Sequence, residues 1–217
     1  MRLQAGYQCE RANRPPQGGY SGISMPASPA LPRDPARMLE EALRAWGGQR
    51  DLWVFGYASL IWNPEFDYDQ RIAARIHGWH RSLRMWSHIY RGTREQPGLV
   101  CALLSGGCCD GVAFRIPRRQ AGEALERLWR REMPSGVYDP RWVRCPAAGG
   151  EALTFTLDRN SPNYAGDLTP AQLRTVFEHS RGLYGTTLDY VRQTHQGLLS
   201  EGIHDRKLEA LLAHAPA

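Results

Sequence analysis

Trp53-Val54-Phe55-Gly56-Tyr57-Ala58-Ser59-Leu60-Ile61-Trp62 is the stretch of this chain that decides its fold. The apolar residues at its start predict a short buried strand, and the small residues Gly56, Ala58 and Ser59 then predict a tight turn. Because these three residues have almost no side chain, a ligand could lie against the backbone N–H groups of the turn, and runs of such groups bind anions. An ordinary strand ending in a tight turn is the simpler interpretation of the local pattern.

The residues that follow this stretch predict further strands, up to about residue 116. Alternating or continuous apolar runs mark them, and Gly, Ser and Asp residues between the last two predict turns. The predicted strands of this region are 52–55, 71–76, 79–89, 99–104 and 111–116. Two more strands are predicted near 142–145 and 151–157.

Helices are predicted before, between and after the strands. Asp34 followed by Pro35 is a typical helix start, and Gly47-Gly48 a typical end. The predicted helices are 35–46, 118–132, 169–181, 186–200 and 204–213. An apolar stripe marks the second of them, formed by Ala121, Ala124, Leu125, Leu128 and Trp129. Strands followed by a helical C-terminal part predict an α+β fold.

Residues 1–33 differ from the rest of the chain. They are rich in Pro, Gly, Ser and Arg and show neither a strand nor a helix period. Such composition is typical of a disordered or loosely attached tail, which leaves residues 34–217 as the folded domain.

Composition favours a cytoplasmic protein without a nucleic-acid or membrane role. The chain of 217 residues is 42% hydrophobic and carries a net charge of +5. Lys207 is the single lysine, and the arginines are spread along the chain, which favours small anionic ligands over nucleic acid. No apolar run approaches the ~20 residues that span a bilayer, and the N-terminus lacks the apolar segment of a secretory signal.

The cysteines and histidines predict no metal site. The five cysteines are odd in number and lack CxxC spacing, which favours reduced thiols in a cytoplasmic setting. The seven histidines show no HExxH or similar ligand spacing. We therefore expect no metal and no cofactor.

Glu132 is the second informative residue. It lies four positions after Leu128 and seven after Leu125, so it continues the apolar stripe of its helix. A carboxylate that faces a core needs a partner or a function, and burial raises its pKa toward the range of a general base. A structural helix-end glutamate paired with Arg130 or Arg131 is the alternative.

The chain resembles the ChaC-like γ-glutamylcyclotransferases, and in particular their glutathione-specific branch. The resemblance covers about residues 51–200, in one order and with plausible spacing. The matching segments are Val54 to Pro64, His77 to Arg81, Trp86 to His88, Tyr90 to Thr93, Pro97 to Val100, Gly111 to Arg115, Trp129 to Met133, Gly136 to Tyr138, Asn160 to Tyr164 and Gly185 to Val191.

This resemblance implies a small mixed β-barrel with flanking helices and an activity that releases 5-oxoproline from a γ-glutamyl compound. It implies that Glu132 is the catalytic acid/base. The substrate-binding residues that it implies are Gly56, Tyr57, Ala58, Ser59, Leu60, Ile61 and Tyr138. The family usually has Gly in place of Ala58, and an added methyl group would obstruct a left-handed backbone or crowd the substrate.

Other functions remain open at this point. The substrate could be a γ-glutamyl amine or dipeptide other than glutathione. The chain could also be a non-catalytic γ-glutamyl-binding protein on the same fold, or a basic protein that binds RNA or a membrane surface. Release of 5-oxoproline from glutathione distinguishes the enzyme from these two classes. The sequence does not give the oligomeric state.

Overall fold

The computed structural model describes residues 33–216. Of the predicted tail, only Arg33 is among them, and Cys9 lies outside them. One mixed sheet of five strands forms the centre of the described domain. Its strands are β1 (Leu52–Gly56), β2 (Gln70–Ser87), β3 (Gly98–Ile116), β4 (Asp139–Cys145) and β5 (Gly150–Thr156).

The strand order across this sheet is β2-β3-β1-β5-β4. All neighbours are antiparallel except β1 and β5, which pair in parallel with Val54 opposite Leu153. The sheet curls into a half-barrel, and no ladder joins its edge strands β2 and β4 within the described residues. The α+β class with a small mixed barrel-like sheet and flanking helices is confirmed.

Strands β2 and β3 form one long two-stranded ribbon, so the prediction of four separate strands in this region was wrong. Gly106 and Gly107, which were predicted as turn residues, lie inside the ribbon with φ 98° and 76°, and Gly78 opposite them has φ 83°. The pairing passes from His77 with Cys108 to Trp79 with Ser105, so Gly78 faces two residues of β3. Two residues opposite one make a β-bulge, and the pairing continues on both sides of it.

Helices flank the sheet, and five of the six described lie close to their predicted bounds. The helices are α1 (Pro35–Trp46), α2 (Ser59–Trp62), α3 (Arg118–Glu132), α4 (Pro170–His179), α5 (Thr187–Ser200) and α6 (Arg206–Leu212). The short helix α2 was not predicted, since its start was predicted as a tight turn. The Asp34 side chain accepts a hydrogen bond from the N–H of Ala36, and Gly47 ends α1 with φ 74°. A short 3₁₀ turn at Pro146–Ala148 and a small hairpin, β6 (Arg181–Gly182) and β7 (Gly185–Thr186), were not predicted.

The core fixes the place of the candidate site. Strand β1 lies at the centre of the sheet, where Val54 and Phe55 are fully buried. The apolar stripe of α3 is buried as predicted. A large apolar side chain such as Val, Leu or Phe contributes about 1.5–3 kcal/mol when it is buried. The turn that follows β1 is therefore joined on one side to fully buried core residues.

The described residues contain neither a membrane-spanning helix nor a cluster of metal-ligand side chains. No helix among residues 33–216 is long and apolar enough to cross a membrane. The same part of the chain contains no group of three or more His, Cys, Asp or Glu side chains placed to hold a metal ion.

Candidate active site

The turn after β1 leads directly into the short helix α2. Gly56 is required at its start by close approach, since a Cβ atom there would lie 2.9 Å from Leu60 Cβ and 3.1 Å from Phe114 Cε2. The first hydrogen bond of α2 runs from Ile61 N to Ala58 O at 2.9 Å. The N–H groups of Ser59 and Leu60 precede that bond and donate to no other described residue. These groups are free to donate to a ligand.

The backbone at Ala58 is not left-handed. Its φ is −148° and its ψ is −116°. The methyl group therefore meets no left-handed backbone, and Ala58 itself is 5% exposed. Of the two concerns raised by the sequence, obstruction of a left-handed backbone does not apply.

Glu132 is the last residue of α3, and its side chain is only 15% exposed. Its Oε1 lies 3.0 Å from Arg131 Nε, so it both continues the buried stripe and forms an ion pair. Burial raises the pKa of the Glu132 carboxyl, and the nearby Arg131 guanidinium partly opposes that rise. A carboxylate in this setting is suited to take and return a proton near neutral pH.

Two buried tyrosines lie close enough to this carboxylate for its charge to raise their pKa. Burial raises the pKa of Tyr57, and the neighbouring Tyr138 and Glu132 raise it further. Burial likewise raises the pKa of Tyr138, with Glu132 as the next cause and an opposing side-chain hydrogen bond from Tyr57. Both phenols therefore stay protonated at neutral pH and can act as hydrogen-bond donors. The structure thus brings together Tyr57, Tyr138 and Glu132.

A third buried tyrosine, Tyr190 of α5, extends this cluster and was not predicted. Its hydroxyl accepts a hydrogen bond from the N–H of Cys101 at 3.1 Å. Its pKa is raised by burial and then by Cys101 and Tyr138. The guanidinium of Arg91 lies over its ring, 5.3 Å from the centroid.

Three arginines donate hydrogen bonds to carbonyl and hydroxyl groups of the turn and of α2. Arg81 donates to Tyr57 O at 2.6 Å, and Arg71 donates to Ile61 O at 3.2 Å. Arg131 donates to Ser59 Oγ at 3.0 Å and also to the carbonyl of Asn63. The excess of arginine over lysine was a signal that could have led to these residues.

The side chains of two further predicted binding residues are buried. Leu60 and Ile61 are 5% and 1% exposed, and their side chains pack in the core. They anchor α2 to the core. Two predicted side chains of the turn are linked to Glu132. Ser59 accepts a hydrogen bond from Arg131, the ion-pair partner of Glu132, and the charge of Glu132 contributes to the raised pKa of Tyr57.

Two surface depressions lie elsewhere. One, of about 630 Å³, is lined by Trp46, Asp51 and Arg118 among others. The other, of about 390 Å³, lies between β2 and the 3₁₀ turn, beside Arg75 and Pro146. Neither is lined by Glu132 or by the turn after β1. The candidate site comprises Glu132 and the turn after β1, which Arg131 connects, because a carboxylate with a raised pKa and unbonded N–H groups are typical of an active site.

Comparison with solved structures defines the class of fold. A crystal structure described as the yeast γ-glutamyl cyclotransferase specific to glutathione superposes with a TM-score of 0.66, at 23% identity, covering 76% of this chain and 97% of that one. The described domain therefore has the fold of a γ-glutamylcyclotransferase.

Sequence comparison defines the family. Residues 52–216 match the family model of the ChaC-like proteins, and the chain belongs to this family. The glutathione-specific γ-glutamylcyclotransferase of Escherichia coli K12 is 34% identical over 164 residues, which cover 74% of this chain and 71% of that protein. The enzyme of the same name from Schizosaccharomyces pombe is 33% identical, over 73% of this chain and 91% of its own length.

Proposed function

We propose that this protein is a glutathione-specific γ-glutamylcyclotransferase, which converts glutathione into 5-oxoproline and Cys-Gly. One observation carries the proposal: Arg131 joins the buried carboxylate of Glu132 to Ser59 in a turn with free N–H groups. The names of the relatives support the choice of glutathione. A cytoplasmic location, where reduced glutathione is available, belongs to the same proposal.

The reaction is a ring closure within the substrate. The α-amine of the γ-glutamyl group attacks its own γ-carbonyl carbon, forming one C–N bond. The amide bond to the cysteinyl nitrogen then breaks, and that nitrogen leaves with a proton. Because the substrate supplies the nucleophile, the protein needs no Ser or Cys nucleophile of its own. It must hold the substrate in a ring-closing conformation, and such positioning can lower a barrier by several kcal/mol.

The turn after β1 would supply the anion-binding part of the site. The free N–H groups of Ser59 and Leu60 would bind either the α-carboxylate of the γ-glutamyl group or the oxyanion that develops on its carbonyl. Donors fixed by a packed backbone need little reorganisation during the reaction, which is why such groups stabilise a developing charge effectively.

Glu132 would move the proton. Its carboxylate would take a proton from the α-ammonium group, which makes the amine nucleophilic, and would return it to the departing cysteinyl nitrogen. The second proton that the ring nitrogen loses on ring closure would pass to the released amine, so that Cys-Gly leaves with a protonated amino group. The raised pKa improves the carboxylate as a base, and Arg131 keeps a deprotonated fraction available. The protonated phenols of Tyr57 and Tyr138 would line the pocket as donors.

The test is a substrate panel with product detection. Purified protein is incubated with glutathione, with other γ-glutamyl dipeptides and amines, and with an α-glutamyl peptide as control, and 5-oxoproline is quantified. We expect release from glutathione in preference to the other compounds. Equal release from other γ-glutamyl amines would favour the broader cyclotransferase, and binding without release would favour the non-catalytic alternative.

A further inference from the structure

Arg81 of β2 is a buried cation that makes no contact with Glu132 among the hydrogen bonds and ion pairs of the described residues. Its side chain is only 4% exposed. One terminal nitrogen donates to Tyr57 O at 2.6 Å and to Asp110 O at 3.0 Å. A buried guanidinium is costly unless a counter-charge and hydrogen bonds satisfy it, so this arrangement needs an explanation.

The counter-charge comes from Asp205, far along the chain. Its Oδ2 accepts hydrogen bonds from Arg81 Nε at 2.9 Å and from the second terminal nitrogen at 2.5 Å. Its Oδ1 accepts from the N–H groups of Lys207 and Leu208 and so caps α6. Arg81 and these N–H groups lower the pKa of Asp205 against the opposing effect of burial, so the carboxylate is charged at neutral pH.

The carbonyl that Arg81 holds controls the first N–H group of the turn. Tyr57 C=O and Ala58 N–H belong to one planar peptide unit, and no described peptide bond is cis. In a trans unit these two groups point in opposite directions. An arginine that fixes the Tyr57 oxygen on one side therefore fixes the Ala58 N–H on the other side, away from the Arg81 guanidinium. It also polarises the unit and strengthens the N–H as a donor.

The far end of the turn is held in the same way. Arg71 donates to Ile61 O and pairs with Glu201, whose side chain is 19% exposed. Glu201 and Asp205 belong to one short segment between α5 and α6. Both arginines that hold the turn from β2 thus take their counter-charges from this C-terminal segment.

We propose that Arg81 and Asp205 are a positioning pair for the substrate-binding turn, holding the Tyr57 carbonyl so that the N–H groups of the turn face the γ-glutamyl group. This role rests on the proposed function. It makes the segment after α5 part of the active-site architecture, although its residues contact no reacting atom.

The experiment compares two variants with one matched control. Arg81→Lys keeps the charge but cannot hold Tyr57 O and Asp205 together in the same geometry. Asp205→Asn keeps an oxygen to cap α6 and loses the counter-charge. Arg75→Lys is the control, because Arg75 also lies on β2 and forms a two-point ion pair, with Asp110 at 2.6 and 2.7 Å, but its side chain is 58% exposed and donates no hydrogen bond to the described turn.

We expect both test variants to raise the KM for glutathione by about tenfold or more and to lower kcat, because small misplacements of a binding group are costly. The control should stay within about twofold of the unmodified protein, as exposed ion pairs contribute little. The pH dependence of kcat should keep its shape, since Glu132 is untouched. Circular dichroism and melting temperature identify folded variants. If Arg81→Lys does not fold, the kinetics of Asp205→Asn decide the test.

Folded test variants with KM and kcat within about twofold of the unmodified protein would overturn the positioning role and leave the pair a purely structural one. An unmodified protein that releases no 5-oxoproline from any compound of the panel would instead overturn the proposed function, and this role with it.

Discussion

Arg131 Nε lies 3.0 Å from Glu132 Oε1, while another nitrogen of the same guanidinium lies 3.0 Å from Ser59 Oγ. Neighbours in sequence thus connect the end of α3 to the turn after β1. The side chains of Arg131 and Glu132 are 16% and 15% exposed. In such a position water screens an ion pair less than at the surface. Substitution of either residue should therefore change the electrostatic environment of the other.

Glu132→Gln should abolish most of the activity. Glutamine keeps the size and much of the hydrogen bonding of Glu132 but cannot take a proton, and loss of a general base costs about 10²- to 10⁴-fold in rate. The measurement is 5-oxoproline formation from glutathione, with substrate binding followed in parallel. Glu126→Gln, on the exposed side of the same helix, is the control and should be unaffected. A folded Glu132→Gln protein with more than about a tenth of the original rate would contradict the assignment.

The same substitution should change how stability depends on pH. Burial raises the pKa of Glu132 in the folded state above its unfolded value, so the folded state holds this proton to higher pH than the unfolded state. The free energy of unfolding then falls as pH rises from the unfolded pKa through the raised folded pKa. Melting temperatures of Glu132→Gln should therefore exceed those of the unmodified protein near neutral pH and converge with them in acid. If the melting temperature of Glu132→Gln instead exceeds that of the unmodified protein by more at acid pH than at neutral pH, the pKa of Glu132 is not raised by folding.

Arg131→Gln should shift the pH–rate profile. The groups that face Glu132 are Arg131 from its own helix, Tyr57, Tyr138 and Glu65, and of these Arg131 lowers the pKa of Glu132. Removing its charge should raise that pKa further, so the acid limb of kcat moves to higher pH. Arg130→Gln, on the adjacent exposed residue, should leave the limb in place. An acid limb that stays put or moves to lower pH in Arg131→Gln would exclude this electrostatic role.

Ala58→Gly should keep or raise activity. The φ of −148° shows that the backbone at Ala58 is not left-handed, so glycine is not required here for a positive φ. Removing the methyl group gives the substrate more room, while the freer unfolded chain costs a few tenths to about 1 kcal/mol of stability. Steady-state kinetics and thermal melting of the variant measure both effects. Loss of turnover in a folded Ala58→Gly protein would show that the methyl group itself helps to shape the site.

Deletion of residues 1–32 should leave turnover within about threefold, or under ~1 kcal/mol of barrier. The reason is that every segment that resembles the family lies after residue 50. Arg33 should be kept, because it donates to Tyr138 O at 2.6 Å and pairs with Asp139. A matched deletion that also removes Arg33 should melt at a lower temperature. Collapse of activity in a folded 1–32 deletion would show that this segment reaches the site.

Part of the fold could be predicted from local pattern. Helix α3 and its buried stripe followed from the spacing of Ala121, Leu125 and Leu128, and α1 followed from Asp34 and its closing glycines. The β2–β3 ribbon did not, because Gly106 and Gly107 have the same local sequence pattern in a bulge as in a turn. Only the pairing of the two strands distinguishes these alternatives.

The sequence by itself determined the position of Glu132 on a buried stripe, the small-residue turn after β1 and the family resemblance, because periodicity and motif order are properties of the chain. Tertiary structure alone decided that Arg81 would hold Tyr57 O and that its counter-charge would come from Asp205, 124 residues away. The sequence left Arg130 and Arg131 as alternative partners of Glu132, and the tertiary structure shows that the partner is Arg131. Burial makes these contacts matter, since a charge taken out of water must find its partner wherever the fold provides one.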